Sequence, residues 1–276
     1  MKTEKNIFTA FLLNLAFSVF EFVGGIFTGS VAVMSDAIHD MGDAVGIGIS
    51  YLLEKKSRKA PDSVYTFGYA RYSVLGGAVT TLILLLGSAA VIFNAAHRLL
   101  NPVPVHYAGM MLFAVVGVCV NLVAAFFTRG EGSVNQRAVN LHMLEDVLGW
   151  AVVLVGAVIM RFTHWLWLDP IMSMGVALFI VSHGVKNLRE VLDILLEKAP
   201  RGISAEVLAK RLAEIDDVAD ICHLHIWSID GKNHCATVHV VANGDWEKVK
   251  ENICRELRQY GIGYITLEQV GNCHEA

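Results

Sequence analysis

Two short stretches of the sequence each place a histidine and an aspartate four residues apart. In SVAVMSDAIHDMGDAVGIGIS the pair is His39 and Asp43, and in LHMLEDVLGW it is His142 and Asp146. Residues at i and i+4 lie on the same face of an α-helix, so both members of a pair point the same way. Two helices with such pairs can bring two imidazole nitrogens and two carboxylates to one point, a tetrahedral ligand set that suits Zn²⁺.

Three further carboxylates, Asp36, Asp40 and Glu145, lie beside these pairs. A carboxylate that faces lipid costs several kcal/mol, so all of these groups should face protein or water. We expect Asp36 to cap the start of the helix and the other two to have packing or pathway roles, with direct metal ligation as the alternative for each. The alternative for each histidine and aspartate pair is a polar contact that holds helices together. Identical spacing in two places favours a metal site.

The residues around the pairs form long apolar runs that must position them. A helix that crosses a bilayer needs about 20 mainly apolar residues to span about 30 Å of hydrocarbon. The sequence predicts six such helices: Ile7 to Thr28, Val31 to Leu53, Ser73 to Ala96, Tyr107 to Thr128, Val139 to Arg161 and Leu168 to Val185. The two pairs fall in the second and fifth spans.

Composition indicates a membrane protein with a soluble domain. The 276 residues are 54% hydrophobic and 17% charged, with a mean hydropathy of +0.50, whereas about 25% of residues in soluble domains are charged. This excludes a disordered chain, a collagen and a basic nucleic-acid-binding protein. Residues 1–186 carry 12 basic and 11 acidic side chains, and residues 187–276 carry 10 and 15. We therefore predict a transmembrane domain over 1–186 and a soluble domain over 187–276.

The basic residues indicate how the chain is oriented in the membrane, and the absence of nucleotide-binding motifs indicates its energy source. Most lysines and arginines of the membrane part fall on one set of alternate connections, which places both termini in the cytoplasm by the positive-inside rule. The sequence has no Walker loop and no G-x-G-x-x-G motif, so an ion gradient rather than a nucleotide should supply the driving force. Five cysteines without a C-x-x-C pair imply no disulfide framework.

Several motifs together resemble the cation diffusion facilitator family. They are Glu21, Gly25, GSVAVMSDAIHDMGD, YTFGYARYS, the helix of His142 and Asp146, Asp169-Pro170 and VLDILLEKAP. The resemblance implies an α-helical membrane protein with six transmembrane helices and a C-terminal cytoplasmic α+β domain, of αββαβ order and metallochaperone-like. It also implies a homodimer that exchanges a divalent metal ion for protons. A histidine and an aspartate on both site helices resemble the zinc-transporter branch.

The charges of the predicted membrane site fit such an exchange. With Zn²⁺ bound, two carboxylates neutralise the dication. With the site empty, two negative charges and two imidazoles remain in a poorly solvated place that favours protonation. Metal and protons should therefore compete for the same groups. Histidine, with an unperturbed pKa of about 6.5, is the expected coupling residue.

The loop between the second and third spans departs from the family pattern. Some members of the family bind a second metal ion there through an aspartate and two histidines. Asp62 matches the aspartate, but Tyr65 and Tyr69 stand where the histidines would be. We therefore expect a structural role for this loop.

The soluble domain shows a pattern of helix, strand, strand, helix and strand from Ser204 onward, with a turn signal at Asp230-Gly231. If the hairpin loop has three residues, His223 lies opposite His239, close enough to share one ion. If it has two, His239 turns to the other face of the sheet. The sequence leaves both registers open.

The family resemblance implies a cytoplasmic zinc site made by His223, His239 and Glu268. His225 and Trp227 lie on the same strand face as His223, so a packed edge of the core is the competing interpretation. Cys273 and His274 lie on the C-terminal tail, where they are either a metal-capture site or simply exposed.

The predicted function is Zn²⁺ efflux by Zn²⁺/H⁺ antiport through His39, Asp43, His142 and Asp146, across a bacterial cytoplasmic (inner) membrane. Alternatives are export of Cd²⁺, Co²⁺, Mn²⁺ or Fe²⁺, a membrane metalloenzyme and a metal sensor. An enzyme is not expected, because H-E-x-x-H and an obvious nucleophile are missing. The expected partners are metal ions, protons, the lipid bilayer and a second copy of the chain, with no nucleic acid and no nucleotide.

Overall fold

The computed structural model describes residues 2–28, 31–101, 107–129, 133–163, 165 and 167–273. Within these ranges, the side chains of residues 2, 24–28, 31–39, 107–110, 157, 160, 168, 169 and 173 lie outside the described part. The helices and strands follow in this order: α1 (Lys2–Thr28), α2 (Val31–Ser57), α3 (Arg71–Leu100), α4 (Tyr107–Thr128), α5 (Val134–Thr163), α6 (Leu168–Leu195), α7 (Ala205–Ala213), β1 (Val218–Ser228), β2 (His234–Ala242), α8 (Trp246–Gln259) and β3 (Ile262–Gln269).

The chain divides into two compact units, Met1–Val191 and Leu192–Ala276. The six predicted spans lie within α1 to α6, and α6 continues to Leu195, ten residues beyond the predicted end at Val185. In the described residues, five of these helices are long and apolar enough to cross a membrane. Helix α2 is as long as α1 but carries several charged side chains and is not among the five. The expected six-helix architecture is confirmed, with the most polar helix being one that carries a predicted metal pair.

Helices α1, α2, α4 and α5 share one core. Helix α1 packs against α2 and α4, while α5 packs against α4 and α3. Their contact contains three alanines among its buried side chains, which are Ile7, Ala10, Ile47, Ala124, Ala125, Val139 and Met143. Small residues let helix backbones approach closely, which improves the van der Waals packing that helps to drive helix association in lipid. Large apolar side chains such as Leu86, Phe93 and Phe126 are exposed on the outside, as expected for a lipid-facing surface.

A glycine allows one close helix contact in this unit. A Cβ atom at Gly117 of α4 would lie 2.6 Å from the ring of Trp150 in α5, which is shorter than a real contact allows. The ring of Trp150 also meets Phe17 of α1 edge to face, with 5.7 Å between centroids. Gly117 therefore gives Trp150 the space to join α1, α4 and α5.

The C-terminal unit is a three-stranded sheet in the order β1, β2, β3, with helices α7 and α8. Strands β1 and β2 are antiparallel, and β2 and β3 are parallel. Helix α8 buries Val249, Ile253 and Leu257, which recur every four residues and so form one face. Side-chain caps start both helices, because Ser204 accepts a hydrogen bond from an amide of α7 and Asp245 from one of α8. The predicted αββαβ order is confirmed.

The hairpin adopts the three-residue loop of the two predicted registers. The amide of Ile229 donates to the carbonyl of Asn233, at 2.9 Å. Asp230 Oδ1 accepts hydrogen bonds from the amides of Lys232 and Asn233, at 3.0 and 2.8 Å, and Gly231 has a φ of 87°. The aspartate side chain thus organises the loop, and the left-handed glycine completes it.

The structure corrects the expectation that the cysteines form no disulfide. Cys222 of β1 is bonded to Cys273, which follows β3. The tail is held to the sheet by a hydrogen bond from the Val270 amide to the Val240 carbonyl, at 3.0 Å. Sequence spacing did not reveal this pairing because the cysteines are 51 residues apart and meet only through the path of β3. Cys273 is therefore not on a free tail, and His274 lies outside the described residues.

Candidate metal-binding sites

Helices α2 and α5 bring three of the four predicted membrane ligands together. His142 Nε2 lies 3.7 Å from Asp43 Oδ2 and 3.9 Å from Asp146 Oδ2. Asp43 and His142 are 7% and 3% exposed, so solvent screens this contact little. His39 lies one turn before Asp43 in α2, and its side chain is outside the described residues.

The buried imidazole of His142 lacks the partners that it would normally have. Neither of its ring nitrogens has a hydrogen-bond partner in the described part of the chain, although buried polar groups are almost always paired. Imidazole nitrogen and carboxylate oxygen are both good ligands for zinc. Among the described residues, no three His, Cys, Asp or Glu side chains are already arranged to hold a metal ion. A complete site would need His39 or a rotation of the two carboxylates.

The space beside these side chains is bounded by a third helix. A small pocket is lined by Asp43, Gly46, Ile47, Thr80, Ile83 and His142. A Cβ atom at Gly46 would lie 2.5 Å from the Cδ1 atom of Ile83 in α3, which is too close for a real contact. Helix α3 therefore forms one wall of the pocket, to which it contributes the hydroxyl group of Thr80.

A hydrogen bond from α3 helps to orient Glu145. The buried hydroxyl of Ser88 donates a hydrogen bond to Glu145 Oε1, at 2.7 Å. This contact joins α5 to α3 next to the predicted ligand Asp146. It supports the packing role that the sequence suggested for Glu145.

A second buried polar cluster, centred on Glu54, lies near the end of α2 and the start of α5. Glu54 Oε2 accepts hydrogen bonds from Ser73 Oγ at 2.7 Å, Ser133 Oγ at 3.0 Å and Asn135 Nδ2 at 3.4 Å. Asn135 also donates to the carbonyl of Ser50, at 2.9 Å, and accepts from its hydroxyl. The cluster ties α2, α3 and α5 together.

The sequence analysis missed this cluster, although its spacing carried a signal. Glu54 follows Asp43 by 11 residues, and Asn135 precedes His142 by 7. These separations are close to three and two helical turns. Each cluster residue therefore lies on the same helix face as a predicted ligand, so the α2 and α5 faces that meet at the candidate site also meet here.

The predicted ligands of the soluble domain share one face of the sheet. His223 lies directly opposite His239 in the antiparallel pair, and His239 lies opposite Glu268 in the parallel pair. The two histidine rings have centroids 5.6 Å apart. His239 Nε2 lies 3.4 Å from Glu268 Oε2, and His239 Nδ1 is buried without a hydrogen-bond partner among the described residues. Two imidazoles and one carboxylate thus lie side by side.

The packed core lies on the opposite face of this sheet. His223 and His225 are exposed and their rings are stacked, with centroids 6.1 Å apart. Ile226, Val238 and Val240 point the other way, into the core against α7 and α8. The histidines are therefore surface groups, which argues against the interpretation that they form a packed edge of the core.

The loop between α2 and α3 is organised around Asp62. Its Oδ1 accepts from the amides of Val64 and Tyr65, at 2.9 and 2.7 Å, and its Oδ2 accepts from the Tyr69 hydroxyl, at 2.6 Å. The Tyr69 hydrogen bond, followed by the two amides, lowers the pKa of the Asp62 carboxyl. The same hydrogen bond raises the pKa of Tyr69 to about 12. The carboxylate is used within the loop, in agreement with the expected structural role.

Comparison with known families identifies the class of protein. The family model of the cation efflux transmembrane domain matches residues 7–196. The chain therefore belongs to the cation efflux family, and the resemblance to cation diffusion facilitators is confirmed. It is a multi-pass membrane transporter and not an enzyme.

Named relatives match nearly the whole chain. The zinc transporter ZitB of Pectobacterium atrosepticum is 32% identical, over 96% of this chain and 85% of its own length. The cadmium, cobalt and zinc/H(+)-K(+) antiporter of Bacillus subtilis is 27% identical, over 98% and 90%. The metal cation efflux system protein CzcD of Cupriavidus metallidurans is 29% identical, over 99% and 89%.

Proposed function

We propose that this chain exports Zn²⁺ from the cytoplasm in exchange for protons, across a bacterial inner membrane, as a homodimer with both termini in the cytoplasm. The observation that carries the proposal is the meeting of His142 with Asp43 and Asp146 between α2 and α5. His39 completes the proposed ligand set. The relatives named as zinc transporters and antiporters support both the ion and the exchange.

Exchange follows from the balance of charge at the proposed site. The carboxylates of Asp43 and Asp146 neutralise a bound dication, and imidazole nitrogens of His39 and His142 provide the remaining ligands. When the ion leaves, the same groups accept protons, because two negative charges in a poorly solvated place are costly. Protons carried back on these groups reset the site for the next ion.

Cadmium and cobalt are the alternative cargo, since one relative is named for cadmium, cobalt and zinc together. A site of two imidazoles and two carboxylates binds several divalent ions, and imidazole disfavours the hard ones. Replacing His39 by Asp should therefore widen transport toward Mn²⁺ and Fe²⁺. Competition transport of each ion against zinc measures this. An unchanged ion preference would assign selectivity to other residues.

The soluble domain is proposed to bind a further zinc ion through His223, His239 and Glu268. Their position on an exposed face of the sheet supports this, as does the buried His239 Nδ1, which has no hydrogen-bond partner in the part of the chain that the structure describes. Bound metal would offset part of the domain's negative charge and let two such domains approach each other in the homodimer.

The direct test of transport is zinc uptake by inside-out membrane vesicles with an imposed pH gradient. Asp43→Ala should abolish uptake, because it leaves a bound dication without half of its neutralising charge. Asp62→Ala, which alters only the exposed loop between α2 and α3, is the matched control and should keep uptake. Uptake by Asp43→Ala at the native rate would disprove the proposed site.

A further inference from the structure

The bond between Cys222 and Cys273 lies at the edge of the sheet next to the candidate histidine cluster. Cys222 precedes His223 at an irregularity in the pairing of β1 with β2, between Ile221 and His223. Cys273 Sγ also lies 3.4 Å from Asp220 Oδ2. Two sulfur atoms and a carboxylate oxygen thus come together from β1 and from the tail that follows β3.

The proposed function places this domain in the cytoplasm, where these sulfur atoms would face a reducing environment, and the inference rests on that location. Disulfides in the cytoplasm are kept reduced, and the few that form there are transient or redox-sensing. Reduction would leave the two thiols close together, because only three residues separate Cys273 from the end of β3. The hydrogen bond between the Val270 amide and the Val240 carbonyl still holds the start of that tail.

We propose that reduced Cys222 and Cys273, with Asp220, form a binding site for a thiophilic divalent cation, of which Zn²⁺ and Cd²⁺ are the class. Thiolate sulfur is the ligand that such ions prefer, and a neighbouring carboxylate is a common additional ligand. Binding releases the two thiol protons to solvent as the two metal–sulfur bonds form. The site is separate from the ligand set of His223, His239 and Glu268, although Cys222 and His223 are adjacent.

Oxidation closes this site. A low-molecular-weight disulfide accepts two electrons and is reduced to two thiols, while Cys222 and Cys273 each lose a proton and an electron and form their mutual bond. The sulfur atoms then have no thiolate charge to offer a metal ion. The bonded pair seen in the structure is this closed form, so metal binding here should depend on redox state.

The test is a cadmium titration of the full-length protein in detergent, followed by the ultraviolet absorption of cadmium–thiolate bonds. The phosphine-reduced protein should develop the band, and treatment with oxidised glutathione should remove it. Cys222→Ser and Cys273→Ser should each lose the band. Cys254→Ser, which changes a thiol of α8, is the matched control and should keep it.

Two results would overturn the proposal. One is a reduced native protein without the band, including the case in which alkylation and mass spectrometry show that Cys222 and Cys273 remain bonded under the reductant. The other is a band of native size in Cys222→Ser with native circular dichroism. The readout is independent of transport, because Asp43→Ala protein, inactive if the proposed function holds, should still give the full cadmium band.

Discussion

The Glu54 cluster gives a prediction whose size follows from its geometry. In Glu54→Ala, the hydroxyls of Ser73 and Ser133 and the amide of Asn135 all lose the carboxylate oxygen that they share. A buried donor left without a partner costs about 1 to 3 kcal/mol. The two hydroxyls can rotate toward other acceptors, so they count at the low end. We expect Glu54→Ala to lower the free energy of unfolding by about 3 to 5 kcal/mol in total.

Thermal unfolding in detergent, followed by tryptophan fluorescence, measures this loss. The expected destabilisation lowers the melting temperature by about 10 °C. Glu54→Gln keeps one acceptor oxygen and should lose less than half as much, while Lys55→Ala removes an exposed neighbour and should have almost no effect. If Glu54→Ala has the same melting temperature as Lys55→Ala, the cluster does not stabilise the helices and the reasoning is refuted.

Two further changes test packing and the loop. Gly117→Ala should destabilise the membrane unit by about 1 to 3 kcal/mol, because the added Cβ would overlap the ring of Trp150. The control is Gly149→Ala, whose Cβ would have no neighbour within 4 Å and which should leave the melting temperature unchanged. Equal melting temperatures for the two variants would refute the predicted clash. Ultraviolet titration should show Tyr69 ionising near pH 12. Asp62→Asn should return the pKa of Tyr69 toward 10, because the carboxylate that accepts its hydrogen bond and opposes its ionisation is gone. The lowered pKa of Asp62 means that its contribution to loop order is present at neutral pH and lost as pH falls through that lowered value; a Tyr69 titration unchanged in Asp62→Asn would contradict this account.

Much of the fold was predictable because its signals are local. Apolar runs of about 20 residues predicted the six long helices, and strand alternation around Asp230-Gly231 predicted the hairpin. The register was not decided by these signals. It depends on Asp230 accepting two loop amides, a choice between two loops that the same dipeptide permits.

The features that sequence analysis missed depend on tertiary contacts. Glu54 is an ordinary polar residue at a helix end until α3 and α5 bring Ser73 and Asn135 to it. Cys222 and Cys273 meet only because β3 runs parallel to β2 and returns the tail to β1. The identity of the metal ligands stays a prediction.

The most direct test of the central claim is simultaneous measurement of zinc and protons in liposomes that contain the purified protein. With zinc inside and a pH-sensitive dye trapped in the lumen, zinc movement through the native protein should drive protons in the opposite direction. His142→Ala should stop both signals, although its thermal unfolding should still show the cooperative transition of a folded protein. Zinc flux without a pH signal, or full coupled flux in His142→Ala, would contradict exchange at the site between α2 and α5.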